Sequence, residues 1–198
     1  MDPAVAGLAF VAIFLVELPD KTFLATLVLS TRYRPVLVWL GVGLAFALQT
    51  GIAVLLGKVA SLLPTTAVQL LALTLFLIGA VVLFREGRSH HSAAEDGEEY
   101  AAKAGDVHGA KVVLASFLVL FAAEWGDLSQ LLTLTMVAKY HDPVSVFVGA
   151  LSALLVVSGL AVVLGSALLR WIPLHVLHYA GAAICLVLAG VTATEILT

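Results

Sequence analysis

The chain has 198 residues, of which 62% are hydrophobic and 12% charged, with a mean hydropathy of +1.10 and a formal net charge of −3. So much apolar surface excludes a soluble domain and places the compact unit inside a bilayer, while long unbroken apolar runs, in place of alternating stretches of ~10 residues, exclude a transmembrane barrel. The small net charge gives no argument for nucleic acid, and the single cysteine, Cys185, cannot form an internal disulfide.

Six apolar segments follow one another, which predicts an all-α polytopic membrane protein with six transmembrane helices. The first covers about residues 3–30, with Pro3 suited to a first helical turn. Asp2 stands where a cleaved signal peptide would carry a basic residue. A basic turn, Thr31 to Pro35, leads to the second segment, about 36–56, and the third covers about 66–84. Residues 85–109 are the one long hydrophilic stretch. They carry Arg85, Arg88, His90, His91 and the acids Glu95, Asp96, Glu98 and Glu99, and read as a solvated linker. The fourth, fifth and sixth segments cover about 110–138, 144–169 and 174–197.

An internal repeat organises these segments. A shift of 107 residues carries Glu17, Asp20, Thr22, Leu24, Thr26, Leu27 and Tyr33 onto Glu124, Asp127, Ser129, Leu131, Thr133, Leu134 and Tyr140. Each repeat holds three helices, 1–84 and 110–198, joined by the linker 85–109. Three is odd, so the second repeat enters the membrane from the opposite side, which predicts two inverted-topology repeats with a substrate site at the midplane, on interrupted helices. With the N-terminus outside, the cytoplasmic loops hold Arg32, Arg34, Arg85, Arg88, Lys103, Lys111 and Arg170, and the outer loops only Lys58 and Lys139. Seven against two places both termini outside and the long loop in the cytoplasm.

The repeated stretches are Glu17-Leu18-Pro19-Asp20-Lys21-Thr22 and Glu124-Trp125-Gly126-Asp127-Leu128-Ser129. Each lies about fourteen residues into an apolar segment, ~21 Å from its start at ~1.5 Å per residue. Charge near the bilayer centre costs at least ~2.5 kcal/mol per residue, and a bound cation is the simplest compensation. Carboxylates three residues apart on a helix point to nearly the same side. If the first and fourth segments face each other, Glu17, Asp20, Glu124 and Asp127 converge. Carboxylate oxygen suits hard divalent cations such as Ca²⁺ and Mn²⁺, and Thr22, Thr26, Ser129, Thr133 and Gln130 offer neutral oxygens nearby. Pro19 cannot donate to the Leu15 carbonyl, so a break there frees an oxygen close to the ion. Gly126, at the matching position, permits unwinding and close backbone approach. Lys21 is the basic group of the core, and would pair with a carboxylate when the site is empty or snorkel to a water-filled cavity. Crowded carboxylates hold protons when no cation is present, which gives a basis for metal/proton exchange.

Other polar residues carry weaker signals. His175 and His178 fit an interfacial helix end better than a metal or haem site, and His90 and His91 fit the solvated linker. Gln49 and Gln69 fit interhelical hydrogen bonds, with Gln49 within reach of the ion path. Trp39, Trp171, Tyr33 and Tyr140 fit interface anchors, whereas Trp125, inside the motif, would wall or gate the cavity or simply pack. No hydrolase or zinc motif supports an enzyme. The competing readings are an exporter of small organic cations or amino acids and a non-transporting assembly factor, which would not need two symmetric acidic motifs.

The two hexads resemble the paired E-φ-G-D-[KR]-[ST] motifs of the small manganese/calcium cation/proton antiporter family of bacterial inner membranes, chloroplasts and the Golgi. The likeness covers the whole chain. It implies a secondary transporter exporting Mn²⁺, or Ca²⁺, against protons, in a bacterial inner membrane, with Glu17, Asp20, Thr22, Glu124, Asp127 and Ser129 as the cation site and Lys21, Gln130 and the Leu15 carbonyl as accessories. The expected partners are the divalent cation and the lipid bilayer, with homo-oligomerisation open and no resident cofactor. Pro19 and Leu128 depart from the pattern, where the family has glycine and a basic residue. Loss of the second charge would make the cavity more acidic.

Overall fold

The computed structural model describes residues 1–18, 21–88, 102, 105, 107–171 and 174–197, and every regular element among them is helical. In chain order the helices are α1 (Pro3–Glu17), α2 (Lys21–Arg32), α3 (Pro35–Ala60), α4 (Thr65–Arg88), α5 (Lys111–Ala123), α6 (Leu128–Tyr140), α7 (Pro143–Trp171) and α8 (Leu174–Leu197). Pro3, Pro35 and Pro143 each stand at the first position of a helix, where a missing N–H costs nothing. The predicted linker falls largely on residues outside those described, and α4 runs on through Arg88.

Among the described residues, three helices are long and apolar enough to cross a membrane, Pro35–Ala60, Thr66–Arg85 and Pro143–Val163, or up to five spans if each bent pair counts as one. Their outward faces are as apolar as their inward ones. Leu40, Leu44, Leu48 and Leu55 of α3 are all about half exposed or more, a stripe that only hydrocarbon solvates at low cost.

Two of the six segments read as single spans in the sequence are broken pairs. α5 and α6 meet at 72°, and Pro3–Glu17 and Thr22–Arg32 are inclined at 71°. The second pair flanks Pro19 and Asp20, which lie outside the described residues. The α5–α6 break has a local cause. Gly126 takes φ +79°, a left-handed conformation that only glycine enters freely. Nothing lies within 4 Å of where its Cβ would be, so it serves the turn and not a close approach. Beyond it, Asp127 is the N-cap of α6.

The packing pairs the two halves of the chain. α4 lies along α8, and α3 crosses α7. α1 packs on α7 as α5 packs on α3, and α2 packs on α7 as α6 packs on α3. The close approaches match too. A Cβ on Gly41 of α3 would meet the Val113 carbonyl and lie 2.8 Å from Ser116 Cβ on α5. A Cβ on Gly149 of α7 would meet the Ala6 carbonyl and lie 2.9 Å from Ala9 Cβ on α1. The 107-residue shift carries Ala6 and Ala9 onto Val113 and Ser116. It also carries the stacked pair Phe10–Phe14 onto the stacked pair Phe117–Phe121.

At one end of the bundle the starts of α1 and α7 are tied together. The Asp2 backbone N–H lies 3.0 Å from Asp142 Oδ2 and 2.7 Å from Ser145 Oγ. Asp142 also accepts from the Ser145 hydroxyl at 2.6 Å and its backbone N–H at 3.1 Å. Donation by the Ser145 hydroxyl, and then by its backbone N–H, holds the Asp142 carboxyl down to about 2. Trp39, near the start of α3, links two spans, its Nε1 donating to the Leu155 carbonyl at 3.1 Å.

Candidate metal centre

The halves of the two broken pairs pack on each other, α1 on α6 and α2 on α5. Helix ends therefore converge inside the bundle. A helix C-terminus offers carbonyl oxygens, and a helix N-terminus offers N–H groups and positive dipole that favour carboxylates. Glu17 is the last residue of α1, and Leu18 closes that helix by donating its N–H to the Phe14 carbonyl at 3.0 Å. Glu124 caps α5, and Asp127 caps α6.

Glu17, Glu124 and Asp127 bring carboxylate oxygens within 4.8 Å of one another. Glu17 is 1% exposed and Glu124 2%. Two unit charges at that separation repel by about 3.5 kcal/mol at an effective dielectric near 20. Carboxylates this close repel one another unless positive charge or protons share their oxygens. Thr22 Oγ1 of α2 lies 3.4 Å from Glu17 Oε2. The Ser129 N–H donates to Asp127 Oδ1 at 2.7 Å, and its hydroxyl to Oδ2 at 2.9 Å. Asp127 therefore does two jobs, starting α6 and completing the acidic group.

Of the residues selected from the sequence, the structure gathers Glu17, Thr22, Glu124, Asp127 and Ser129. Asp20 and Pro19 lie outside the described residues, as does the side chain of Lys21, the first residue of α2. The side chains of His175 and His178 are likewise outside, with the residues of His90 and His91. Leu15 lies within the last turn of α1.

A cavity of about 10 Å³ adjoins Glu124, with room for one water-sized particle. It is lined by Glu124, Ser129, Gln130, Thr133, Gln49 and Thr50, among others. Gln130 Oε1 accepts the Gly126 N–H at 3.2 Å, so its buried Nε2 is the atom left with no partner. Gln49 of α3 donates from Nε2 to the Phe121 carbonyl at 2.9 Å. It satisfies one of the carbonyls freed where α5 stops. The sequence reading passed over Thr50 as a lining residue. The signal for it was present as a polar pair, Gln49-Thr50, in the middle of an apolar span.

Two motif residues point elsewhere. Trp125 is 64% exposed and rests on Phe121, ring centres 5.3 Å apart, so it does not wall the cavity. The Leu128 side chain packs against Gly79 of α4, close to Cys185 of α8.

Apolar helices of spanning length, two broken pairs and a buried acidic cluster at the breaks define an integral membrane protein of the all-helical class. The family model for the divalent cation/proton antiporter GDT1 matches residues 5–91 and, again, 112–198, and the chain belongs to that family. It is 30% identical over 207 residues to the Arabidopsis thaliana protein named "Protein PAM71-homolog, chloroplastic", covering 93% of this chain and 57% of that protein. Against "Protein PAM71, chloroplastic" of the same plant, identity is also 30%, over 96% of this chain and 56% of that protein. The chain thus spans little more than half the length of these plant relatives. A Vibrio cholerae protein named "Putative manganese exporter" is 28% identical, over 96% of this chain and 90% of its own length. No solved structure matches the chain.

Proposed function

We propose that the chain exchanges a divalent cation, Mn²⁺ foremost with Ca²⁺ as the second candidate, for protons, in the exporting direction. The observation that carries this is the meeting of Glu17, Glu124 and Asp127 oxygens within 4.8 Å. Two oxygens on opposite sides of a cation at ~2.2–2.6 Å stand ~4.4–5.2 Å apart, so the cluster has the span of one bound ion. The adjoining cavity holds one water-sized particle, which disfavours an organic cation. Thr22 and Ser129 supply neutral oxygens, and Asp20 is the fourth carboxylate by the repeat. Lys21, Gln130 and the Leu15 carbonyl are accessories. Without the ion, protons on the same oxygens relieve the repulsion, so one site serves both cargoes in turn.

The architecture that goes with this reading is six spans in two inverted repeats, residues 1–84 and 110–198, joined by a cytoplasmic linker at 85–109. The matched helix pairs across the 107-residue shift support it. Both termini lie outside and the membrane is a bacterial inner membrane. Uptake of Mn²⁺ and Ca²⁺ into proteoliposomes under an imposed pH gradient tests the function, with wild type beside Glu17→Gln and Glu124→Gln. Gradient-driven flux lost in both variants is the expected result. Absence of flux of either ion, or flux indifferent to both substitutions, overturns it.

A further inference from the structure

We propose that the pocket beside Glu124 is the site of one ordered water, and that this water is a ligand of the transported cation. The proposal deepens the exchange reading above and rests on it. The pocket, of about 10 Å³, has the volume of a single water. Glu124 and Ser129 are both in its wall, so a water there lies against the ion's own ligands.

A buried water needs two to four polar partners, and the wall supplies them. Phe46 and Leu154 make part of it apolar, so the partners are the few polar groups between them. Gln130 gives its Oε1 to the Gly126 N–H at 3.2 Å, which leaves its buried Nε2, a donor, without a partner. A donor repels a bare cation and calls for an acceptor oxygen. Thr133 donates its hydroxyl to the Ser129 carbonyl at 2.7 Å, so its own oxygen is left to accept. A carboxylate accepts several hydrogen bonds at once, so Glu124 accepts from a water whatever else it contacts. One water answers all three groups. One lone pair takes the Gln130 hydrogen, and its two hydrogens go to Glu124 and Thr133. The second lone pair remains for the cation. Hard divalent cations take six or more oxygen ligands and commonly keep waters among them.

The other half of the chain does not repeat these groups. The 107-residue shift carries Phe23 onto Gln130, and Gln49 and Thr50 onto Val156 and Val157. Phe23 and Val157 are buried in one apolar cluster with Leu24 and Ala161. Leu18, the neighbour of Glu17 in the chain, packs on that cluster. The water therefore enters the ion's shell from the Glu124 side, and the two halves of the site differ although their acids match.

The test uses the full chain in detergent with one equivalent of Mn²⁺, in water enriched in oxygen-17. Pulsed electron paramagnetic resonance detects enriched oxygen bound directly to manganese, and so counts water ligands. Wild type is expected to bind Mn²⁺ with at least one such oxygen. Thr50→Ile and Thr50→Leu fill the pocket from α3 with side chains of two shapes. Each is expected to bind Mn²⁺ with one water oxygen fewer. Val157→Ile, the same kind of enlargement at the matching position of α7, is expected to keep the wild-type count. Mn²⁺ bound by wild type with no water oxygen overturns the inference and leaves the exchange reading standing. So does a count unaltered by both Thr50 substitutions, or lowered as much by Val157→Ile. Wild type that binds no Mn²⁺, or binds it with an affinity that Glu17→Gln leaves unaltered, removes the exchange reading, and the inference falls with it.

Discussion

Glu17 and Glu124 occupy equivalent places in the repeat, each at the end of a helix and each almost fully buried, and with Asp127 they hold carboxylate oxygens within 4.8 Å of one another. Two chain breaks make this arrangement. A continuous helix would spend its carbonyl and N–H groups on itself, and two such helices would present acids only along their flanks. Broken helices packed on each other instead bring termini together, so the acids sit among helix ends whose dipoles and free oxygens suit charge.

Gly126 fixes the turn between Glu124 and Asp127. Gly126→Ala places a Cβ in a left-handed conformation with open space around it, so its cost is conformational and not steric. We expect a loss of about 1–2 kcal/mol, with Gly126→Asn milder, and Mn²⁺ flux falling in the same order. Thermal unfolding in detergent beside vesicle uptake checks both.

Gln49 holds the end of α5 through the Phe121 carbonyl. Gln49→Leu leaves that buried carbonyl unpaired and should cost about 1–3 kcal/mol. Because Gln49 also lines the cavity beside Glu124, Mn²⁺ flux should drop even at temperatures where the variant is fully folded. Flux measured well below the melting point separates the two effects.

Gly41 and Gly149 should respond alike, since each faces a backbone carbonyl of the opposite half. Gly41→Ala and Gly149→Ala are each expected to cost about 1–3 kcal/mol. Gly190→Ala, with nothing within 4 Å of its Cβ, should instead stabilise α8 by about 0.5–1 kcal/mol. Melting temperatures of the three variants give the signs directly.

Asp142 links the starts of α7 and α1, and its carboxyl is held down to about 2 against an ordinary 3.8. A depressed carboxyl contributes stability above its unfolded value and loses it as pH falls through its folded value. The stability gap between wild type and Asp142→Asn should therefore be constant above about pH 4.5 and close between about pH 4 and 2. Denaturation of both proteins across that range measures it.

Much of this was legible because it rests on local chemistry. Pro3 marks a helix start, and the long apolar runs between turns mark α3, α4 and α7, two of which begin one residue earlier than read, at Pro35 and Pro143. The doubled Glu-x-x-Asp spacing marked the acidic positions, and Gly126 marked a place able to unwind. What the sequence hid depends on packing direction. Leu128 reads as a charge missing from the cavity, yet its side chain packs against Gly79 of α4. A Leu128→Arg exchange would thus press a long cation against α4 at Gly79 as well as change the charge. Trp125 sits beside an acid in the chain but is exposed, resting on Phe121. Gln49 could be placed opposite α5 only once the α3–α5 contact through Gly41 was known.

The most direct measurement is anomalous diffraction from crystals of the full chain grown with Mn²⁺. The account predicts a single strong manganese peak within about 2.2 Å of carboxylate oxygens from both Glu17 and Glu124, abolished in crystals of Glu17→Gln. A peak bound to one half of the chain alone, or none between α1 and α5, would contradict it.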